Sequence, residues 1–335
     1  MTPRAWLALA ALGASACSKP SSAPESAPPV SASASASASA PPDPSYDEIV
    51  STLYGGSIPL PACASLPPDA RIRCAFDERL KADPKAASLA HEMFVRWKIV
   101  VGVERAHTMD GGYRGMIKLE PALPTGEYRK HLEWIAAAFR DYEQFFSELE
   151  KYGAAHPPAS APKAKPYRWR PITLLFMKSV NAKRPSAYAH DWTVAYNFEG
   201  SLNLNADAVR ETFFHEMFHL NDFAHGTWSP GPLDPSYQFA VKKCGTSIPC
   251  LGPYTPNETI VRGGTYYAFQ PGNGGGVLEY GAELALRYYR EQRAALRDLT
   301  PKPKPFKCGP PENARSWEAM KNEFFGGIDA VPACP

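Results

Sequence analysis

Two histidines four residues apart, His215 and His219, flank Glu216 in the apolar run ETFFHEMFHLND, residues 211–222. On a helix this spacing puts both imidazoles on one face, one turn apart, where they can share a metal ion. Glu216 follows His215 by about a third of a turn. There it can border an open coordination position and accept a proton from a water held in it. The pattern is H-E-x-x-H, two metal ligands and a general base. Phe213, Phe214, Met217, Phe218 and Leu220 make the segment apolar nearly all round, as in a buried helix. Two histidines and a carboxylate in such surroundings are costly unless they are ligated or hydrogen-bonded.

A metal needs a third protein ligand, and two positions compete. Glu279 in VLEYGAELALRYYR stands four residues before Glu283, so the two share a helix face. One carboxylate can bind metal while the other hydrogen-bonds a ligand histidine. Here the chain resembles the gluzincins, the thermolysin-like superfamily of zinc peptidases, in which H-E-x-x-H is followed by a helix carrying E-x-x-x-D or E-x-x-x-E. EYGAE is similar to the corresponding stretch of anthrax lethal factor-like peptidases. The resemblance spans residues 126–297. It implies Zn2+ held by His215, His219 and Glu279, Glu283 supporting a histidine, Glu216 as general base, and a tyrosine upstream of Glu279 as oxyanion donor. Tyr266 and Tyr267 stand in that region, and Tyr267 is the position assigned.

The competing ligand is His225, six residues after His219, where metzincins place their third histidine. The glycine that lets a metzincin chain turn is Asp222 here, and Asp tolerates left-handed backbone less well than Gly. The methionine turn also lacks a match, because the only later methionine, Met320, lies in an apparent helix. Glu279 is therefore preferred.

The elements that must position these residues are legible in part. Residues 69–105 read as helix in two pieces broken at Asp83-Pro84. The second piece contains His91-Glu92-Met93-Phe94, the motif's first four letters, with Val95 where the second histidine would stand. A short strand is expected at Met116–Leu119. The apolar positions Tyr128, Leu132, Ile135, Phe139, Tyr142, Phe146 and Leu149 recur at three- and four-residue steps and define a helix over 126–151, with Thr125 as cap and Gly153 as stop. Strands are expected at 172–180, at WTVAYNF (192–198) and at SLNLN (201–205), the last as a sheet edge able to pair with an extended substrate. The motif helix starts near Asn205 or Asp207. Gly- and Pro-rich loops follow over 226–276, then a helix at 277–297 and a short terminal helix. GNGGG (272–276) lacks the lysine of a phosphate-binding loop and reads as a mobile loop beside the cleft. Trp192 and Tyr196 read as core or as a substrate face.

Arg4 followed by the short apolar run Trp6–Ala16 reads as an export signal, too short to span a bilayer. Ala14-Ser15-Ala16-Cys17 is similar to a bacterial lipobox, with alanine at the position usually held by leucine. An ordinary signal peptide with an incidental cysteine is the alternative. Residues 18–45, almost wholly Ser, Ala and Pro, cannot offset their ordering entropy and read as a disordered tether. Six further cysteines, Cys63, Cys74, Cys244, Cys250, Cys308 and Cys334, suit disulfides in an exported chain. Pairing of neighbours is the simplest of the fifteen connectivities. Zinc ligation by thiolates is disfavoured, because no C-x-x-C occurs. With 36 basic and 34 acidic residues there is no basic field for nucleic acid.

These readings converge on an α+β, zincin-like metallopeptidase domain: long helix, small mixed sheet, active-site helix and a mostly helical C-terminal subdomain. Its expected organisation is signal peptide 1–17, tether 18–45 and catalytic domain 46–335, divided into 46–225 and 226–335. The expected function is zinc-dependent hydrolysis of a peptide or protein in the cell envelope or outside the cell, with a membrane anchor on Cys17. A non-catalytic envelope lipoprotein using the same fold as a binding module, an amidase with the same zinc chemistry, and a metzincin-like peptidase with His225 as ligand are the alternatives.

Overall fold

The computed structural model describes residues 43–335 other than 57, 111–114, 159–165, 182–184, 262–263, 272–274 and 301–303. The expected signal peptide, the Cys17 anchor, the tether up to residue 42 and most of the GNGGG loop lie outside the described residues. The architecture is α+β.

Four helices open it: α1 (Tyr46–Tyr54), α2 (Pro61–Ala64), α3 (Pro68–Arg79) and α4 (Pro84–Trp97). Ser45 and Glu48 close a capping box on α1. Asp83 breaks the helical run as expected. Its carboxylate accepts from Ala86 N at the start of α4 and also pairs with Arg129 at 2.9 Å. His91 on α4 stands edge-on to Phe76, and Glu92 pairs with Arg140, so this partial copy of the motif is structural. The helix ends earlier than the sequence reading put it. Lys98 turns left-handed (φ 57°), and the β-branched run after it forms β1 (Val100–Val103).

Strands β2 (His107–Asp110) and β3 (Met116–Pro121) make a hairpin, and α5 (Arg129–Ala155) follows after a 3₁₀ turn. Thr125 makes no side-chain cap. Gly153 does not stop the helix but lies inside it, where a Cβ would meet Ile328 Cδ1 at 2.4 Å. It is a packing glycine.

The sheet is completed by β4 (Thr173–Ser179), β5 (Ala187–His190) and β6 (Thr193–Asn197). Its order is β2-β3-β4-β6-β5, with β1 parallel to the first half of β4 and β3 antiparallel to the second. The edge beyond β6 is formed by β5, not by SLNLN. Residues 201–205 are a turn in which the Asn203 side chain donates to the carbonyls of Ser186 and Asn197, and Asn205 caps the next helix. Leu202 and Leu204 are exposed, so their alternation buries nothing. Asparagine side chains offered the backbone closer partners than a ladder would.

Helix α6 (Ala206–Ala224) then runs through the motif and packs on α5. The stretch expected as loops contains α7 (Asp234–Cys244), α8 (Ile248–Leu251) and the small hairpin β7 (Ile260–Val261) and β8 (Thr265–Tyr266). Helix α7 buries little more than Ser236 and Ala240, which is why its periodicity is faint. Helix α9 (Gly276–Leu296) packs on α6, and α10 (Pro311–Phe324) closes the chain. Most of the core lies among α4, α5, α6, α9 and one face of the sheet. A smaller cluster of Ile117, Leu119, Met177 and Ala195 covers the other face. The neighbouring cysteines are joined: Cys63–Cys74, Cys244–Cys250 and Cys308–Cys334.

Candidate metal centre

Asn205 sets the start of α6 by accepting from Ala208 N at 2.9 Å, and the apolar side chains Val209, Phe213, Phe214, Met217 and Phe218 sink it into the core. His215 and Glu216 are each 8 % exposed. Helix α9 brings Glu279, in its first turn, against the motif. This approach requires a glycine at 281, where a Cβ would lie 2.4 Å from Ser229 Oγ and 2.9 Å from Phe218.

The three expected ligands converge. His215 Nε2 lies 3.2 Å from Glu279 Oε2 and 3.2 Å from His219 Nε2, and His219 Nε2 lies 3.6 Å from Glu279 Oε2. Tetrahedral zinc with bonds of about 2.0–2.1 Å places its ligand atoms about 3.3 Å apart. The triangle therefore has the size that a zinc ion demands, and it is the group of His, Cys, Asp and Glu able to hold a metal among the described residues.

His215 Nδ1 donates to Glu283 Oε1 at 2.9 Å, which leaves the Nε2 lone pair aimed at the other two ligand atoms. Three facing lone-pair atoms repel unless a proton or a cation stands among them. Burial alone would depress the His215 pKa, but hydrogen bonds to Glu279 and Glu283 more than offset it and hold it well above the usual histidine range. Burial pushes the Glu279 carboxyl up, and the two histidines overcome that and hold it far below the usual carboxylate range.

Glu283 is itself held. Its Oε2 accepts from Asn257 Nδ2 at 2.9 Å, and Asn257 Oδ1 accepts from Arg290 Nη1 at 2.8 Å. Arg290 reaches back to Glu211, one turn before His215 on α6. The sequence reading found Glu283 but missed Asn257 and Arg290. A lone loop asparagine well upstream of α9 carries no signal of this role.

The cleft over the cluster has a volume of about 960 Å³, and His215, Glu216, His219, Glu279 and Tyr267 line it together with the β5 edge. The Tyr267 ring centroid lies 5.8 Å from that of His215. Tyr266 instead packs against the core. His225 does not join the cluster. Helix α6 continues straight through Asp222, whose carboxylate accepts from Ser229 N and Oγ, and His225 caps its end. There its Nδ1 donates to Glu323 Oε1 at 2.8 Å and its ring rests on Phe324. Tyr196 is fully buried and bonded to His131, whereas Trp192 is half-buried, packing against the core and also lining the cleft. Comparison of the chain with protein-family models, with curated proteins and with solved structures gives no match in any of the three.

Proposed function

We propose that this chain is a zinc-dependent peptidase with a zincin-like fold, exported and anchored through a lipid on Cys17, acting on a peptide or protein in the envelope or outside the cell. The observation that carries the reading is the triangle of His215, His219 and Glu279 ligand atoms, with Glu216 lining the same cleft.

His215, His219 and Glu279 would hold the ion, and zinc supplies Lewis acidity and an acidified water when bound. Glu283 keeps His215 in the tautomer that presents Nε2. Glu216 accepts the proton of the attacking water and returns it to the leaving amine. The Tyr267 phenol donates to the oxygen on which negative charge develops. The extended β5 edge lies along the cleft, where a peptide backbone can pair with it.

Zinc quantification and casein hydrolysis on the purified chain test the reading. Stoichiometric zinc, hydrolysis abolished by chelation, and hydrolysis abolished in Glu216→Gln with zinc retained are the expected results. Activity untouched by both treatments refutes it. Zinc without hydrolysis of casein or a peptide library favours a binding module.

A further inference from the structure

Among the described residues five non-glycine positions hold positive φ: Lys98, Asp191, Trp192, Thr227 and Asp298. Three of them, Asp191, Trp192 and Thr227, line the cleft beside the metal cluster. Left-handed backbone is uncommon for a non-glycine residue and a genuine outlier for a bulky or β-branched one. Trp192, at φ 58°, is the clearest case. It is the second residue of the two-residue turn joining β5 to β6, with His190 opposite Thr193. Such turns with both central residues left-handed suit Asp-Gly or Asn-Gly. Asp191 meets the first requirement, and an indole stands where glycine belongs.

The turn gains nothing from the indole, so the surroundings must hold it. The Arg168 guanidinium lies 3.7 Å from its ring centroid. Arg168 is fixed in turn, because Nη2 donates to Pro171 O at 2.9 Å and its backbone N and O are bracketed by the Asn221 side chain at 2.7 and 2.8 Å. Asn221 stands on α6 two residues beyond His219. The tryptophan is thus registered to the helix that carries the two histidines. Leu220 and Phe223, also on α6, line the same cleft, and Phe223 is 71 % exposed. Its ring is therefore accessible to a chain bound in the cleft.

We propose that Trp192, with Leu220 and Phe223, forms a subsite for a large apolar side chain of an extended peptide, beside the bond held over His215 and His219. The inference rests on the peptidase reading for its ligand class. Backbone strain at Trp192 is retained because the indole forms the subsite wall, fixed by Arg168.

Two fluorescein-labelled peptides that differ only in one central residue, Phe or Ala, test it by anisotropy on the zinc-loaded Glu216→Gln chain, which binds without cleaving. The Phe peptide binds about tenfold tighter than the Ala peptide. Adding Trp192→Gly collapses that ratio to about twofold or less, with folding checked by circular dichroism because the indole also packs against the core. Trp192→Phe keeps most of the ratio, and Phe223→Ala, at an exposed position that leaves the core intact, lowers it about threefold. No preference in the Trp192 chain, or a ratio unmoved by Trp192→Gly and Phe223→Ala, overturns the subsite. Casein hydrolysis by the unaltered chain separates the two readings. Hydrolysis without the peptide preference overturns the subsite alone, whereas preference without hydrolysis upholds the subsite and refutes the catalytic reading.

Discussion

His215 Nδ1 and Glu283 Oε1 lie 2.9 Å apart, although 68 positions separate the residues in the chain. The contact fixes the His215 ring and turns Nε2 toward His219 and Glu279. It also ties α6 to α9 at the depth of the ligand cluster. Glu283→Ala should weaken zinc about 10- to 100-fold, read by chelator competition, while the fold survives. Glu283→Gln should recover part of that affinity, since an amide oxygen can still accept from Nδ1. Unaltered zinc affinity in Glu283→Ala would show that the contact positions nothing.

Asn257 is 3 % exposed and spans Glu283 and Arg290. Asn257→Leu removes a buried donor and a buried acceptor at once and leaves two charged partners short. Unfolding free energy should fall by about 2–3 kcal/mol in urea titration. A loss below about 0.5 kcal/mol would mean that solvent or a neighbour replaces it.

The choice between Glu279 and His225 is open to direct measurement. Glu279→Ala should lose zinc and His225→Ala should keep it, because His225 is engaged by Glu323 at the far end of α6. Chelation should lower the melting temperature of the unaltered chain, since an ion binding only the folded state adds about 4 kcal/mol at a thousandfold excess over Kd. The same chelator should leave the melting temperature of Glu279→Ala unmoved.

His131 gives a pH dependence remote from the metal. Burial, and to a lesser degree Lys130, push its pKa from 6.5 down to about 4, and its Nδ1 lies 2.8 Å from the Tyr196 hydroxyl. The folded chain then resists a proton that the unfolded chain accepts. The stabilisation is complete above pH 6.5 and is lost as pH falls through about 4. The loss is on the order of 3 kcal/mol. Urea titrations at pH 7.5, 5.5 and 4 should show it, and His131→Leu should flatten that part of the slope.

The sequence by itself determined what local chemistry determines. The four-residue step between His215 and His219 forces them to one helix face, whatever surrounds that helix. The Asn205 cap, the long apolar stripe of α5, the strands at Thr173–Ser179 and Thr193–Asn197 and the neighbouring disulfides follow from short-range geometry in the same way. Glu279 and Glu283 were legible as a pair because they too share a face.

Only the tertiary structure decided which edge strand borders the cleft, that Asn203 folds SLNLN into a turn, that Gly281 lets α9 close on α6, and that Asn257 braces Glu283. Each depends on groups brought together by chain closure. Hydrogen-bonding side chains and glycines have several local uses of similar energy, and their long-range partners choose among them. The His215–Glu279 approach is of that kind as well. Residue spacing can put two ligands on one helix, but only packing can bring the third to them.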